Sequence, residues 1–86
     1  MNIFLHRDFR KAVKRLTKNQ KNILAERLEL FAANPHHPLL HNHRLNGVWR
    51  NYRSINIGGD LRAVYAEADQ ETARFAALGT HGQLYS

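Results

Sequence analysis

The sequence has no cysteine, and none of its apolar runs approaches the ~20 residues that a membrane-spanning helix needs. The lack of cysteine excludes disulfide bonds, a thiolate nucleophile and thiolate zinc ligands, so packing alone has to hold the fold. A chain without disulfides is typical of the cytoplasm, and the charges from Arg7 onwards predict that there is no signal peptide. The 86 residues are expected to form one domain, residues 1–86, with no membrane association.

Acidic residues are also scarce, with seven Asp and Glu against 13 Lys and Arg and a formal net charge of +6. An excess of this size indicates a polyanionic partner, and nucleic acid is the commonest one. Nine of the 13 basic residues are arginine, which favours bidentate contacts with phosphate over diffuse attraction. The alternative is a solvated basic surface that keeps the protein soluble.

The N-terminal half shows a strand pattern followed by two helical ones. Residues 1–5 predict an edge strand, and a first helix is predicted to end near residues 17–19. After a polar break at residues 18–21, a second helix runs to Asn34, where Pro35 stops it. The short connection predicts an antiparallel helical hairpin. The apolar positions are Phe9, Ala12, Val13 and Leu16 in the first helix and Ile23, Leu24, Leu28, Phe31 and Ala32 in the second.

Four histidines lie in the loop of residues 35–47, which also holds both prolines. His37 and His41 would share one face of a helix, but Pro38 between them prevents a regular helix. The loop supplies no carboxylate to complete a site, so no metal is predicted there. Histidine is easily protonated near neutral pH, and the loop is therefore expected to gain charge beside a phosphate.

Residues 48–57 are rich in β-branched and aromatic side chains and precede Gly58 and Gly59, which predicts a β-hairpin. A three-residue turn at residues 58–60 is favoured over a two-residue one because it keeps the charge of Arg62 off the apolar face. The apolar face then carries Ile55, Ile57, Leu61, Ala63 and Tyr65, with Arg53 as the exception. The other face carries Arg50, Tyr52, Ser54, Asn56 and Arg62.

An acidic turn at residues 67–71 separates the hairpin from a third strand, residues 72–78, which is predicted to carry Ala73, Phe75 and Ala77 on one face. Residues 79–81 then leave the sheet. These elements predict an α+β fold, in which an N-terminal antiparallel helical hairpin packs on one face of a small, mainly antiparallel sheet. The polar residues on the other face, together with His43 and His81, indicate a ligand surface.

Four motifs of the chain occur in the same order in one known family. The helical hairpin closes on Asn34 and Pro35, residues 43–47 read H-x-L-x-G, residues 52–65 read YRSINIGGDLRAVY, and residues 79–85 read GTH-x-x-LY. Together they resemble the RelE/YafQ-type toxins of the RelE/ParE superfamily, which belong to bacterial type II toxin–antitoxin systems. The resemblance covers nearly the whole chain. It implies a RelE-like fold and a ribosome-associated endoribonuclease that cleaves mRNA without metal or cofactor and is silenced by a cognate antitoxin.

The resemblance also implies roles for individual residues. His43 matches the histidine before the L-x-G turn, and Asp60 matches the catalytic aspartate of the YafQ-like branch. Arg62 stands where the RelE-like branch has a phosphate-contacting arginine. His81 falls at the position of a general acid, and Tyr85 matches the C-terminal aromatic residue.

Two positions depart from the family pattern, since Asn56 stands where YafQ has a histidine and Leu61 where it has a tryptophan. The first departure removes a titratable group, so the acid–base roles could be redistributed among the others. The remaining candidate RNA contacts are Arg50, Tyr52, Arg53 and Asn56 in the hairpin and Arg10, Lys11 and Lys14 on the basic face of the first helix.

The implied reaction is attack of a ribose 2′-hydroxyl on the adjacent phosphorus, which needs a base, an acid and a cation. Asp60 or His43 is the candidate base, and His81 is the candidate acid. Arg62 would hold the phosphate, and Tyr85 would orient the scissile nucleotide by stacking or through its hydroxyl.

Three other functions stay open at this point. A gyrase-inhibiting toxin of the ParE type uses the same scaffold, although that branch generally lacks the His, Asp and Tyr set. A non-catalytic nucleic-acid-binding module would depend on the basic first helix and not on His81. A decayed toxin would keep only its antitoxin. The expected partners are a cognate antitoxin, with an acidic segment that folds on binding, and mRNA and the ribosome.

Overall fold

The computed structural model describes residues 1–85, which form three α-helices and five strands. In chain order these are β1 (Asn2–Leu5), α1 (Arg7–Lys14), α2 (Lys18–Ala33), β2 (His43–Arg44), β3 (Arg53–Gly58), β4 (Leu61–Asp69), β5 (Thr72–Thr80) and α3 (His81–Tyr85). Two 3₁₀ turns, Pro38–Leu40 and Gly47–Trp49, lie between α2 and β3. No helix in this part of the chain is both long and apolar enough to cross a bilayer.

The strands form one sheet in the order β1-β5-β4-β3-β2. β1 runs parallel to β5, and all the other neighbours are antiparallel. α1 packs against β5 and α2 packs against β3, and both helices bury their apolar residues in one shared core. The predicted α+β architecture and the predicted edge strand at the N-terminus are therefore confirmed, whereas β2 falls in a segment that was predicted as loop.

The boundary between the two helices differs from the prediction. α1 ends at Lys14, and residues 18–21 form the first turn of α2 and not a polar break. The hydroxyl of Thr17 accepts from the Gln20 backbone N–H (3.1 Å), and Gln20 Oε1 accepts from the Thr17 N–H (2.9 Å). This capping box begins the helix in a turn that has no apolar side chain, which is why apolar periodicity missed it. The end of α2 before Pro35 is as predicted.

Four aromatic rings fill the centre of the core, between the helices and the sheet. Phe31 contacts Tyr65 and Phe75 with ring centroids 4.9 and 5.2 Å apart, and Phe9 contacts Phe75 at 5.6 Å. The tilted and edge-to-face arrangements are those that aromatic rings prefer. The apolar face predicted for the first hairpin is confirmed, because Ile55, Ile57, Leu61, Ala63 and Tyr65 are all buried in this core.

The first hairpin has the predicted register with a different turn. The pairs in its body, such as Asn56 with Arg62, are those that the three-residue turn requires. Gly58 nevertheless pairs with Leu61, so the loop has only two residues and a bulge next to Gly58 absorbs the difference. Gly59 adopts a φ of 53°, which a residue without a Cβ tolerates at no steric cost.

A bulge in the second hairpin moves one predicted side chain to the other face. Val64 pairs with Ala77 and the next residue of β4 pairs with Phe75, so β5 carries one extra residue at this point. Ala77 therefore lies on the face opposite Phe75, and the prediction from simple alternation is wrong. The two strands also extend further than predicted, which leaves only residues 70–71 for the turn and keeps β5 in the sheet as far as Thr80.

The strand predicted to start at residue 48 begins only at Arg53. Gly47 has a φ of 64° and begins a 3₁₀ turn, which is closed by a hydrogen bond from the Arg50 N–H to the Gly47 carbonyl (3.2 Å). A further hydrogen bond joins the Tyr52 N–H to the Trp49 carbonyl (2.8 Å). Val48 is 95% exposed. The β-forming side chains before Arg53 thus build a turn over the sheet, and their composition alone could not reveal it.

Candidate active site

A cleft of about 860 Å³ lies on the face of the sheet opposite the helices. Its walls come from the loop after α2, from β2 and the turn that follows it, from the inner strands β3 and β4, and from α3. Five of the predicted site residues line this one cavity, namely His43, Asn56, Arg62, His81 and Tyr85.

His43 lies in β2, and its ring is fixed by the backbone of the preceding loop. Its Nδ1 is 2.8 Å from the carbonyl oxygen of His41. Because a carbonyl oxygen only accepts, Nδ1 carries the hydrogen, and in the neutral ring Nε2 then keeps a free lone pair. His41 presents this carbonyl from a left-handed conformation with φ 45° and ψ 50°, and its ring lies 5.1 Å from that of His43. His43 is thus held in the tautomer that can accept a proton.

Asn42, between these two histidines, ties the loop to the sheet. Its Nδ2 donates to the Tyr65 hydroxyl (2.8 Å) and to the Pro35 carbonyl (2.9 Å), and its Oδ1 accepts from Arg53 Nε (2.8 Å). Burial raises the pKa of Tyr65 above its ordinary value, and the hydrogen bond from Asn42 partly offsets the increase. The network also explains why the apolar face tolerates Arg53, since its charged group is hydrogen-bonded at the edge of the core.

Arg62 lies at the hairpin end of the cleft and folds back onto the turn. Its Nη1 donates to the carbonyls of Gly59 (3.0 Å) and Leu61 (3.3 Å), and its Nη2 is 4.0 Å from Asp60 Oδ1. The Asp60 side chain is 62% exposed and does not line the cleft. Asp60 therefore lies outside the cleft that the other four predicted catalytic residues line, although it stays 4.0 Å from Arg62. A pair at this distance with a largely exposed carboxylate contributes little energy.

His81 and Tyr85 come from α3, which begins where β5 ends. The Thr80 N–H donates to Gln83 Oε1 (2.8 Å) and the Gln83 N–H donates to the Thr80 hydroxyl (3.2 Å), so the helix starts with a reciprocal cap. The rings of His81 and Tyr85 meet edge to face at 4.9 Å. The tail thus folds back over the hairpin, and His81 lines the same cleft as Arg62, whereas Asp60, the other candidate base, does not line it.

Trp49 joins the two sides of the cleft. Its Nε1 donates to the Leu84 carbonyl (3.2 Å), which ties α3 to the 3₁₀ turn, and its ring meets Tyr52 edge-on at 5.2 Å. Trp49 therefore forms part of the cleft wall. Tyr52 supports that wall from outside the cleft.

Three buried polar atoms of cleft residues find no hydrogen-bond partner within residues 1–85: Ser54 Oγ, Asn56 Oδ1 and Tyr85 Oη. Ser54 is fully buried and pairs with His43 across the sheet. Buried polar groups without partners are rare in folded proteins, and all three belong to the cleft side of the molecule. The sequence placed Ser54 on the polar face but carried no signal that its hydroxyl would be buried.

The other predicted RNA contacts lie outside the cleft. Arg50 and Arg53 line a separate, smaller cavity, and Tyr52 packs on Trp49. Arg10, Lys11 and Lys14 are exposed on α1, on the helix side of the sheet. His41 and Asn42 were not predicted as site residues, because a carbonyl contact and a side-chain network depend on the path of the loop.

Within the described range, no group of three or more His, Asp or Glu side chains is placed to hold a metal ion. The histidines of the loop are used differently. His37 Nδ1 accepts from the Leu39 N–H (3.1 Å) and caps a 3₁₀ turn, while His41 and His43 pack against each other.

The likeness to known proteins extends over the whole sequence. Residues 1–86 match the family described as the bacterial toxin of type II toxin–antitoxin system, YafQ. No curated protein matches the chain at a significant level.

Three solved structures illustrate the likeness. YafQ from E. coli strain BL21(DE3) is 26% identical over 99% of this chain and 98% of that chain, with a TM-score of 0.82. A metal-bound toxin from Helicobacter pylori is 29% identical over 99% of both chains, with a TM-score of 0.78. The toxin of the E. coli DinJ–YafQ toxin–antitoxin complex is 26% identical over 99% and 97%, with a TM-score of 0.73. Because the family match spans the whole sequence and the fold agrees, this chain belongs to the YafQ family of bacterial toxins from type II toxin–antitoxin systems.

Proposed function

We propose that this toxin is an endoribonuclease that cleaves mRNA on the ribosome with its own side chains and without a metal ion. The observation that carries the proposal is the meeting of His43, Arg62 and His81 in one cleft whose wall includes Tyr85. Two imidazoles supply a base and an acid near neutral pH, and the guanidinium supplies a fixed positive charge.

In the proposed reaction His43 Nε2 takes the proton of a ribose 2′-hydroxyl, and the 2′ oxygen attacks the adjacent phosphorus. The bond from phosphorus to the 5′ oxygen of the next nucleotide breaks, and His81 gives that oxygen a proton. Arg62 exchanges its carbonyl contacts for the phosphoryl oxygens, where negative charge develops in the transition state. Tyr85 orients the nucleotide at the end of the cleft.

The proposal assigns the base to His43 and not to Asp60. His43 has a free Nε2 because His41 binds its Nδ1. The Asp60 carboxylate is mostly exposed, outside the cleft and 4.0 Å from Arg62 Nη2. Its proposed role is to attract the guanidinium of Arg62 and so to influence where that cation rests.

The test is cleavage of mRNA by the purified toxin with ribosomes present, with growth inhibition as a second readout. His81→Ala is expected to lower the cleavage rate about 10²- to 10⁴-fold, the usual contribution of an acid or base. His36→Ala is the matched control, because His36 is an exposed loop histidine that does not line the cleft. A folded His81→Ala protein with full activity would overturn the assignment, as would inhibition of gyrase supercoiling in place of mRNA cleavage.

The pH profile separates the two histidines. A base has to be deprotonated and an acid has to be protonated, so the wild-type rate is expected to fall on both sides of an optimum. His43→Ala should remove the fall on the acid side, and His81→Ala should remove the fall on the alkaline side. Profiles with the two limbs exchanged would reverse the roles.

The proposal includes a cognate antitoxin and a cytoplasmic site of action. The DinJ–YafQ structure is that of a toxin–antitoxin complex, and a net charge of +6 suits an acidic segment that folds as it binds. Arg10, Lys11 and Lys14 keep their proposed part as contacts for ribosomal RNA on the exposed face of α1.

A further inference from the structure

A second cavity of about 180 Å³ lies beside the segment of residues 43–53 and shares no lining residue with the cleft. Its walls are Arg44, Arg50, Asn51, Arg53 and Glu67, and we call it the arginine pocket. Three arginines and one glutamate line it, so positive charge is in excess around a space suited to one small anionic group.

The charges of the arginine pocket are not neutralised by the protein itself. Among residues 1–85, none of the three arginines has a carboxylate oxygen within 4.0 Å, although Glu67 lines the same cavity. Arg44 and Arg53 stand directly opposite each other on β2 and β3, where like charges are destabilising. Asn42 fixes Arg53 through a 2.8 Å hydrogen bond to Nε. The fold thus maintains a repulsive arrangement that a bound anion would relieve.

The segment of residues 43–53 lines both cavities. His43 and Trp49 face the cleft, while the neighbouring Arg44 and Arg50 face the arginine pocket. An RNA strand carries a phosphate at every nucleotide, so a strand with its scissile phosphate in the cleft must place the neighbouring phosphates close by. The planar guanidinium fork matches phosphate oxygens.

We propose that the arginine pocket binds a backbone phosphate of the substrate RNA, flanking the nucleotide that occupies the cleft. This inference rests on the proposed function, because the scissile phosphate in the cleft sets the path of the strand. The ligand is single-stranded RNA. It would add affinity without reading sequence, because phosphate contacts position a strand and do not distinguish bases.

The test measures binding of a fluorescent single-stranded RNA oligonucleotide to the His81→Ala protein over a range of salt concentrations. Adding Arg44→Gln and Arg50→Gln is expected to weaken binding about tenfold, the effect of losing one hydrogen bond to a charged group. The slope of log affinity against log salt should become less negative by about 0.7, the value for one phosphate contact on a single strand. Arg53 stays unchanged because it holds the Asn42 network.

The matched control is Arg27→Gln with Arg74→Gln, which removes the same charge from arginines that line neither cavity. Equal losses in the two pairs would reduce the site to general attraction and overturn the proposal. A loss of affinity for the cognate antitoxin, with RNA binding intact, would overturn it in favour of an antitoxin contact.

A catalytic readout keeps this site separate from the proposed function. In the otherwise wild-type toxin, Arg44→Gln with Arg50→Gln should raise KM for RNA and leave kcat unchanged, since the contact is equal in the ground and transition states. If the wild-type toxin cleaves no RNA, the proposed function fails while the binding experiment still reports on the pocket. A fall in kcat at saturating RNA would contradict a purely positioning site.

Discussion

His41 is the one non-glycine residue between positions 1 and 85 with a positive φ. A residue with a Cβ pays roughly 1–2 kcal/mol in this region, so the surrounding loop must hold it there. The carbonyl that this conformation presents is the partner of His43 Nδ1, at 2.8 Å. The strain at one residue thus decides which nitrogen of its neighbour is free.

Substitutions at His41 should separate its backbone from its side chain. His41→Gly accepts the left-handed conformation without strain and is expected to keep RNA cleavage near the wild-type level. His41→Val is an outlier there because it is β-branched, and its cleavage rate is expected to fall at least about tenfold, as for a partly displaced base. Nitrogen-15 NMR of the His43 ring reports the tautomer in both variants. Equal activity of the two would show that the backbone conformation of His41 is unimportant.

At the scale of elements, α3 has only five residues, too short to be stable as an isolated helix. Three features hold it: the Thr80 and Gln83 cap, the Trp49 hydrogen bond to Leu84, and the close approach of Gly79. A Cβ at Gly79 would come within 2.9 Å of Gln83 Oε1 and 3.3 Å of Gln83 Cβ. The glycine therefore makes room for the side chain that caps the helix.

Gly79→Ala is expected to displace Gln83 and to loosen α3 with little change in the melting temperature. The resulting displacement of His81 should lower the rate of mRNA cleavage by up to about 10²-fold, as small misplacements of catalytic groups do. Gly82→Ala is the control, because nothing lies within 4 Å of its added Cβ. Hydrogen exchange of residues 80–85 checks the cause, and unchanged exchange together with full activity in Gly79→Ala would contradict it.

Some features of these elements could be predicted from the sequence alone and others could not. The register of the first hairpin followed from one physical demand, that Arg62 stay off the apolar face, and this demand is satisfied. The bulge that turns Ala77 over has no compositional signal, because alanine suits either face. The start of α2 was missed because a capping box depends on polar side chains and not on apolar period.

The candidate site was predictable to a similar degree. His43, Arg62 and His81 could be brought together from motif and topology. The exclusion of Asp60 from the cleft could not, because it depends on the short loop that leaves this side chain exposed. The free nitrogen of His43 likewise depends on the carbonyl of His41, and the direction of a backbone carbonyl cannot be predicted from the sequence.

At the scale of the whole molecule, the sheet separates the apolar core on its helix side from the cleft on its other side. The aromatic core lies on the helix side, and the polar atoms without partners lie on the cleft side. Total stabilities of small domains are only about 5–15 kcal/mol. Truncating a fully buried apolar side chain on the helix side should lower the free energy of unfolding. Truncating a buried polar side chain without a partner on the cleft side should raise it.

Phe31 and Ser54 test this division, since both are fully buried. Phe31→Ala is expected to lower the free energy of unfolding by about 3–5 kcal/mol, through lost apolar burial and a cavity. Ser54→Ala is expected to raise it by about 1 kcal/mol, because a buried hydroxyl without a partner carries a desolvation cost. Urea denaturation measures both. A destabilised Ser54→Ala protein would mean that the hydroxyl has a partner in solution.

The parallel pairing of β1 with β5 has a consequence for how the toxin is made. Asn2 pairs with Thr72, so the first strand to be synthesised can enter the sheet only after the last one has been made. Contacts this distant in sequence form slowly, and α3 with His81 follows β5. Neither the sheet nor the cleft is complete until β5 and α3 have been synthesised. The candidate base in β2 and the candidate acid in α3 therefore share a cleft only in a chain that has been synthesised as far as α3.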